Sequence, residues 1–165
     1  MCREKTIQVH ISSREDIEKI YPENIFKDKV VISFYDPVPH YNGPDYKPVD
    51  YTNKSDKVFY VPLRDIDIEI LPDYKLTYDT YFPESEELAK FIYDAAENRY
   101  SIICQCEFGQ SRSAGCAAAS REHFFGDGIK VFSDYRYYPN QMVYHKVFEA
   151  LEAEKRRRLG LNEDI

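Results

Sequence analysis

Apolar residues fall along this chain in short strand-like runs separated by segments with a helical period. Thr6 to Ile11 alternates polar and apolar residues, as a half-buried strand does, and Ser12-Ser13-Arg14-Glu15 then offers a capping box for a short helix. Val30-Val31-Ile32-Ser33-Phe34 and Val58-Phe59-Tyr60-Val61 are β-branched and aromatic runs of the kind found in buried central strands. After Pro83, the acidic Glu84, Glu86 and Glu87 favour a helix start, and Leu88, Phe91, Ile92, Ala95 and Ala96 line one face of that helix. Tyr100 to Cys104 reads as another strand, and Ala114 to Phe125 as an Ala-rich helix stopped by Gly126-Asp127-Gly128. A last helix is predicted from about Asn140 to Arg158, with Val143, Val147, Phe148 and Leu151 facing inward.

Two stretches carry no sustained period. Asp36 to Asp56 holds four prolines and reads as a long exposed loop, while Arg64 to Thr80 is irregular and acidic. Loops of that length inside a compact domain are uncommon and often functional, so both are expected to overhang a site. Strands alternating with helices predict an α/β fold: a mainly parallel central sheet of four to five strands, flanked by helices on both faces. In such sheets ligands bind beyond the C-terminal ends of the strands.

The 165 residues, 43% of them hydrophobic, suit one domain spanning 1–165. Net charge is -7, which argues against a nucleic-acid surface, so an anionic substrate must be met by local donors. The basic run Lys155 to Arg158 is assigned to a helix C-terminus, where cations complement the dipole. No apolar run spans a membrane and the N-terminus lacks the apolar core of a secretory signal, so a cytoplasmic location is expected, without membrane partners. Oligomeric state is not legible. Cysteines 2, 104, 106 and 116 and histidines 10, 40, 123 and 145 lack metal-ligand spacing, so no metal and no cofactor is called for. The cysteines are expected as free thiols, Cys104 as a core residue.

The chemistry concentrates between the strand ending at Cys104 and the helix from Ala114. There Cys106 precedes Arg112 by six positions, with Glu107, Phe108, Gly109, Gln110 and Ser111 between them. A loop of five residues can wrap one tetrahedral anion with successive backbone N–H groups, and the helix N-terminus adds a favourable dipole. The same field favours a nucleophilic thiolate at Cys106. Arg112 offers a planar fork to two phosphoryl oxygens, Gly109 permits positive φ or close approach, and Ser113 is placed to hydrogen-bond the cysteine sulfur. A Cys/Arg pair at this spacing arises by chance in about one such chain in five, but Gly109, Ser113 and the strand-to-helix context reduce coincidence to about one in a thousand.

Cys106-x-x-Gly109-x-x-Arg112-Ser113 resembles the phosphate loop of the protein tyrosine phosphatase superfamily, in its small dual-specificity-like branch. Val61-Pro62-Leu63-Arg64-Asp65-Ile66-Asp67 resembles the strand and acid loop of such enzymes, and the likeness covers about Lys29 to Leu151. It implies hydrolysis of a phosphomonoester, most readily a protein phosphotyrosine, through a cysteinyl-phosphate intermediate. Residues 107–112 would bind the phosphoryl group, Cys106, Arg112 and Ser113 would be catalytic, and Asp65 would be the general acid, with Asp67 and Asp73 as alternatives. The family usually carries His before the cysteine, where this chain has Gln105. Two other readings stand beside it: a catalytically silent phosphate-binding module, and another Cys-x5-Arg enzyme such as an arsenate reductase or sulfurtransferase. Tyr41, Tyr46 and Tyr51 in the long loop are candidates for stacking on substrate.

Overall fold

A computed structural model describes residues 6–19, 26–37 and 43–161. Cys2, His40 and Tyr41 lie outside the described residues. Four parallel strands, β1 (Val9–Ser13), β2 (Lys29–Tyr35), β3 (Val58–Pro62) and β4 (Ser101–Cys106), form one sheet in the order β1-β4-β2-β3. The helices are α1 (Arg14–Lys19), α2 (Tyr78–Tyr81), α3 (Ser85–Glu97), α4 (Arg112–Phe125), α5 (Ile129–Phe132) and α6 (Gln141–Arg158).

The central strands β4 and β2 are buried along almost their whole length, which is why they read as continuous apolar runs rather than alternating ones. Val30, Ile32, Phe34, Ile102 and Cys104 face a main core built with Leu88 and Ile92 of α3, Cys116 and Ala117 of α4, and Val143, Val147 and Leu151 of α6. Phe34 meets Phe82 edge-on at 6.1 Å, an arrangement that contributes about 1 kcal/mol beyond burial alone. On the other face Val31 and Ile103 pack with Ile17 of α1 and with Phe26, Val49 and Tyr51.

The boundaries move where tertiary pairing decides them. β1 runs from Val9 to Ser13 instead of Thr6 to Ile11, because its register on β4 pairs Val9 with Ile102 and carries on to Ser13 with Cys106. β4 therefore reaches the nucleophile candidate itself. Ser13, not Ser12, caps α1, its Oγ accepting from Asp16 N at 3.0 Å. The segment 43–56 has neither helix nor strand, yet it is not simply an exposed loop, since Val49 and Tyr51 are each only 2% exposed. Within Arg64 to Thr80 a 3-10 helix (Ile68–Tyr74) and the one-turn α2 appear, both too short to show a period. Asn140 caps α6 through its side chain, and at the other end Arg158 pairs with Glu154, Asp94 and Glu97, tying α6 to α3. Among the described residues no helix is long and apolar enough to cross a membrane.

Candidate active site

The parallel sheet delivers the C-terminal ends of β1, β4, β2 and β3 to one edge, and the loop 106–112 sits there between β4 and α4. Cys106, 2% exposed, lies with its sulfur 3.0 Å from Ser113 Oγ. Cys104 points to the same face but is fully buried beside Cys116, and that contact together with burial pushes its thiol well above the ordinary value. Cys104, Cys106 and Cys116 are free thiols.

Gly109 turns the loop with φ +66°, and a Cβ there would lie 2.7 Å from Ser13 N and 2.9 Å from Ser12 C. The loop thus rests directly on the backbone of β1, which only glycine permits. Arg14 N donates to Glu107 O at 3.1 Å, which ties the start of α1 to the loop as well.

Arg112 is 4% exposed. Its Nη1 donates to Asp36 Oδ1 at 2.8 Å and to Leu63 O at 2.7 Å, so the ends of β2 and β3 both hold it. Its Nε is buried and has no hydrogen-bond partner among the described residues. A buried donor left unpaired is costly unless an acceptor visits it, and here it belongs to the one cation in the loop.

Asp65 Oδ1 accepts from Ser111 Oγ at 2.7 Å and from Asn140 Nδ2 at 2.9 Å. Asn140 also donates to Ile66 O at 3.1 Å and takes its own N–H to Ser111 O at 3.1 Å. The acid segment, the loop and the start of α6 are therefore joined at one residue. Tyr81 OH donates to Arg64 O, and burial, then the nearby Asp65 carboxylate, raises its pKa and keeps it a neutral donor. Asp67 and Asp73 are exposed and bond to no residue of 106–113 among the described residues.

The remaining sequence candidates fall differently around the site. Phe108 and Gln110 are exposed, Phe108 to 76%, whereas Glu107 is half-buried and its Oε2 accepts from Tyr46 OH at 3.3 Å. Tyr51 lies under the loop instead of over it. Its hydroxyl donates to Gln105 Oε1 at 2.8 Å, which removes it as a stacking platform. His123 is held between Tyr93 and Glu152, remote from the loop in sequence and on the far end of α4. No group of His, Cys, Asp or Glu side chains suited to a metal occurs among the described residues.

Sequence reasoning missed Asp36 and Asn140. Asp36 carried a usable signal, a carboxylate directly after a central strand, where parallel sheets present their ligand groups. Asn140 was read only as the start of the last helix, and neither its side-chain cap of α6 nor its bond to Asp65 was read from the sequence.

The fold is shared with solved structures of tyrosine phosphatase-like and dual-specificity-type proteins. No family model matches the sequence, and no curated protein does. Among solved structures, the human tyrosine phosphatase-like serine/threonine/tyrosine-interacting protein superposes with TM-score 0.52 at 14% identity, over 92% of this chain and 93% of that one. PTPMT1 in complex with PI(5)P gives 0.51 at 11% identity over 92% and 94%, and human DUSP28 gives 0.50 at 13% over 90% and 94%.

Proposed function

We propose that the chain hydrolyses a phosphomonoester, foremost phosphotyrosine in a protein, through a cysteinyl-phosphate intermediate. The observation that carries this reading is Arg112: one nitrogen is anchored by Asp36 and Leu63, while the buried Nε keeps an unspent donor beside the loop of Cys106. An acceptor-rich tetrahedral anion suits that arrangement.

In the first step the Cys106 thiolate attacks phosphorus. The S–P bond forms as the bond to the leaving oxygen breaks, and Asp65 gives that oxygen a proton. Asp65 Oδ1 is already engaged by Ser111 and Asn140, so Oδ2 is the oxygen that carries the proton. Water then attacks the phosphocysteine, Asp65 takes its proton, and the S–P bond breaks while Ser113 Oγ, 3.0 Å from the sulfur, donates to the departing thiolate. Arg112 accompanies the equatorial oxygens throughout. Residues 107–111 include Glu107 and no lysine or arginine, so a polyphosphorylated headgroup meets no cation in the loop beyond Arg112.

Gln105, in place of the family's usual His, favours a second reading, a phosphate-binding module without turnover. One assay separates the two: hydrolysis of p-nitrophenyl phosphate by wild type and by Cys106→Ser, with tungstate binding measured for both. Turnover by wild type, lost about 10³-fold or more in Cys106→Ser, supports catalysis. Tungstate binding by wild type without turnover overturns it and leaves the binding module.

A further inference from the structure

Directly beneath the nucleophile loop, on the sheet face away from the main core, lies a polar group of three side chains. Gln105, 1% exposed, accepts at Oε1 from Ser33 Oγ at 2.6 Å and from Tyr51 OH at 2.8 Å. Ser33 is its register partner on β2, and Tyr51 comes from the irregular segment 43–56. Both lone pairs of one carbonyl oxygen are thereby taken, which fixes the amide of the residue preceding Cys106.

Tyr51 is otherwise surrounded by apolar neighbours: it shares a cluster with Phe26, Val31, Val49 and Ile103 and meets Tyr60 edge-on at 6.3 Å. A hydroxyl in such a place is unfavourable unless its bond matters, because a phenylalanine fills the same volume without desolvating an oxygen. Burial raises its pKa far above the ordinary tyrosine value, so it is a neutral donor at any assay pH. The same segment also grips the residue after the nucleophile. Tyr46 OH donates to Glu107 Oε2 and accepts from Asp36 N at 3.1 Å, while Arg14 stacks on the Tyr46 ring and donates to Lys47 O at 2.7 Å. Both neighbours of Cys106 are thus held by segment 43–56.

We infer that Tyr51, together with Ser33, is a positioning residue for the nucleophile: its hydroxyl fixes Gln105 and, through it, the backbone that presents Cys106. The inference deepens the phosphatase reading and in its kinetic arm rests on it. Segment 43–56 is then a clamp on the loop and not a lid over the substrate.

The test uses the full chain carrying Cys2→Ser, with the alkylated residue identified by peptide mass spectrometry, since Cys104 and Cys116 are 0% exposed and Cys106 2%. Tyr51→Phe is compared with Tyr60→Phe, which removes a hydroxyl bonded to Val49 O in the same segment. Melting temperature, the rate of Cys106 alkylation by iodoacetamide at neutral pH, and kcat and KM for p-nitrophenyl phosphate are measured. Tyr51→Phe is expected to slow alkylation and lower kcat about fivefold with KM within about twofold, and Tyr60→Phe to leave both rates within about twofold. A lower melting temperature for Tyr51→Phe with both rates matching Tyr60→Phe makes the hydroxyl merely structural and overturns the inference. If Tyr51→Phe does not fold, Ser33→Ala removes the other donor and is judged by the same two rates. Alkylation that responds to Tyr51→Phe in a wild type without turnover sinks the phosphatase reading alone.

Discussion

Replacing Gly109 with alanine tests whether the loop's shape depends on resting against β1. Two separable penalties arise. The backbone at φ +66° disfavours any Cβ by about 1 kcal/mol. The added carbon also lands 2.7 Å from Ser13 N, 2.9 Å from Ser12 C and 3.1 Å from Ser12 O, all backbone atoms that no rotamer change can move. Overpacking of this kind costs about 1–3 kcal/mol, for a total of about 3 kcal/mol. Ser13 pairs with Cys106 across the β1–β4 ladder, so whatever strand shift relieves the clash displaces Cys106 as well.

Gly126 supplies the control. It has φ +68° with open space where its Cβ would sit, so Gly126→Ala carries the backbone penalty alone. Both substitutions reduce unfolded-chain entropy equally, and the difference between them isolates the contact with β1. Calorimetry is expected to show a fall in melting temperature of about 6–12 °C for Gly109→Ala and about 2–4 °C for Gly126→Ala. Tungstate titration should show weakened binding only for the former. Equal shifts, or Gly109→Ala with wild-type tungstate affinity, refute the argument that the loop is shaped by its seat on β1.

Asp65→Asn keeps an oxygen for Ser111 and Asn140 but has no proton to transfer, so kcat on p-nitrophenyl phosphate should fall about 10²–10³-fold. Asp67→Asn should change it little, and the reverse result moves the acid to Asp67. Asn140→Ala removes the α6 cap and one hold on Asp65, and should lower stability by about 1–2 kcal/mol in urea unfolding. His10 titrates below 6.5 in the folded chain because burial, then Lys29, disfavours its cation. Its contribution to stability is therefore complete above the unfolded value of about 6.5 and is lost as pH falls below it through the lower pKa of the folded chain, so melting curves from pH 8 to 5 should decline less steeply for His10→Gln. Because the chain carries -7 overall and one buried loop cation, tungstate affinity should hold or tighten between about 0.05 and 0.5 M salt; a tenfold loss points to a surface basic patch instead.

The parts of the site that read from sequence are those contiguous along the chain. Cys106, Gly109, Arg112 and Ser113 occupy one strand-loop-helix junction, and their spacing already specifies how an anion can be wrapped. β2 and α3 read clearly because an apolar run or an apolar face is enforced by the burial that the fold supplies, whereas β3, whose apolar run read as a buried central strand, is an edge strand in which only Val61 is buried. What did not read was long-range. Arg112 finds Asp36 across 76 positions, Asn140 finds Asp65 across 75 and Tyr51 finds Gln105 across 54, and only the parallel sheet brings these together. Segment 43–56 looked like an exposed loop because Val49 and Tyr51 are buried singly, which leaves no period. α5 spans only four residues, Ile129–Phe132, too few for a face to repeat.

On the phosphatase reading proposed above, the pairing of Arg112 with Asp36 bears on how so acidic a chain would hold an anion. A guanidinium 4% exposed needs a counter-charge whether or not a ligand is bound, and Asp36, 2.8 Å away, provides it. The pair is electrically neutral, so Arg112 contributes direction more than net charge. On that reading the remaining attraction would fall to uncharged donors: the backbone N–H groups of residues 107–112 and the N-terminus of α4, a helix of 14 residues. They can satisfy a single tetrahedral anion, and they offer nothing to a second phosphate, which would instead meet Glu107, Asp65 and the chain's overall negative field. On the proposed function, selection for a lone phosphoryl group would follow from holding it with geometry instead of excess positive charge.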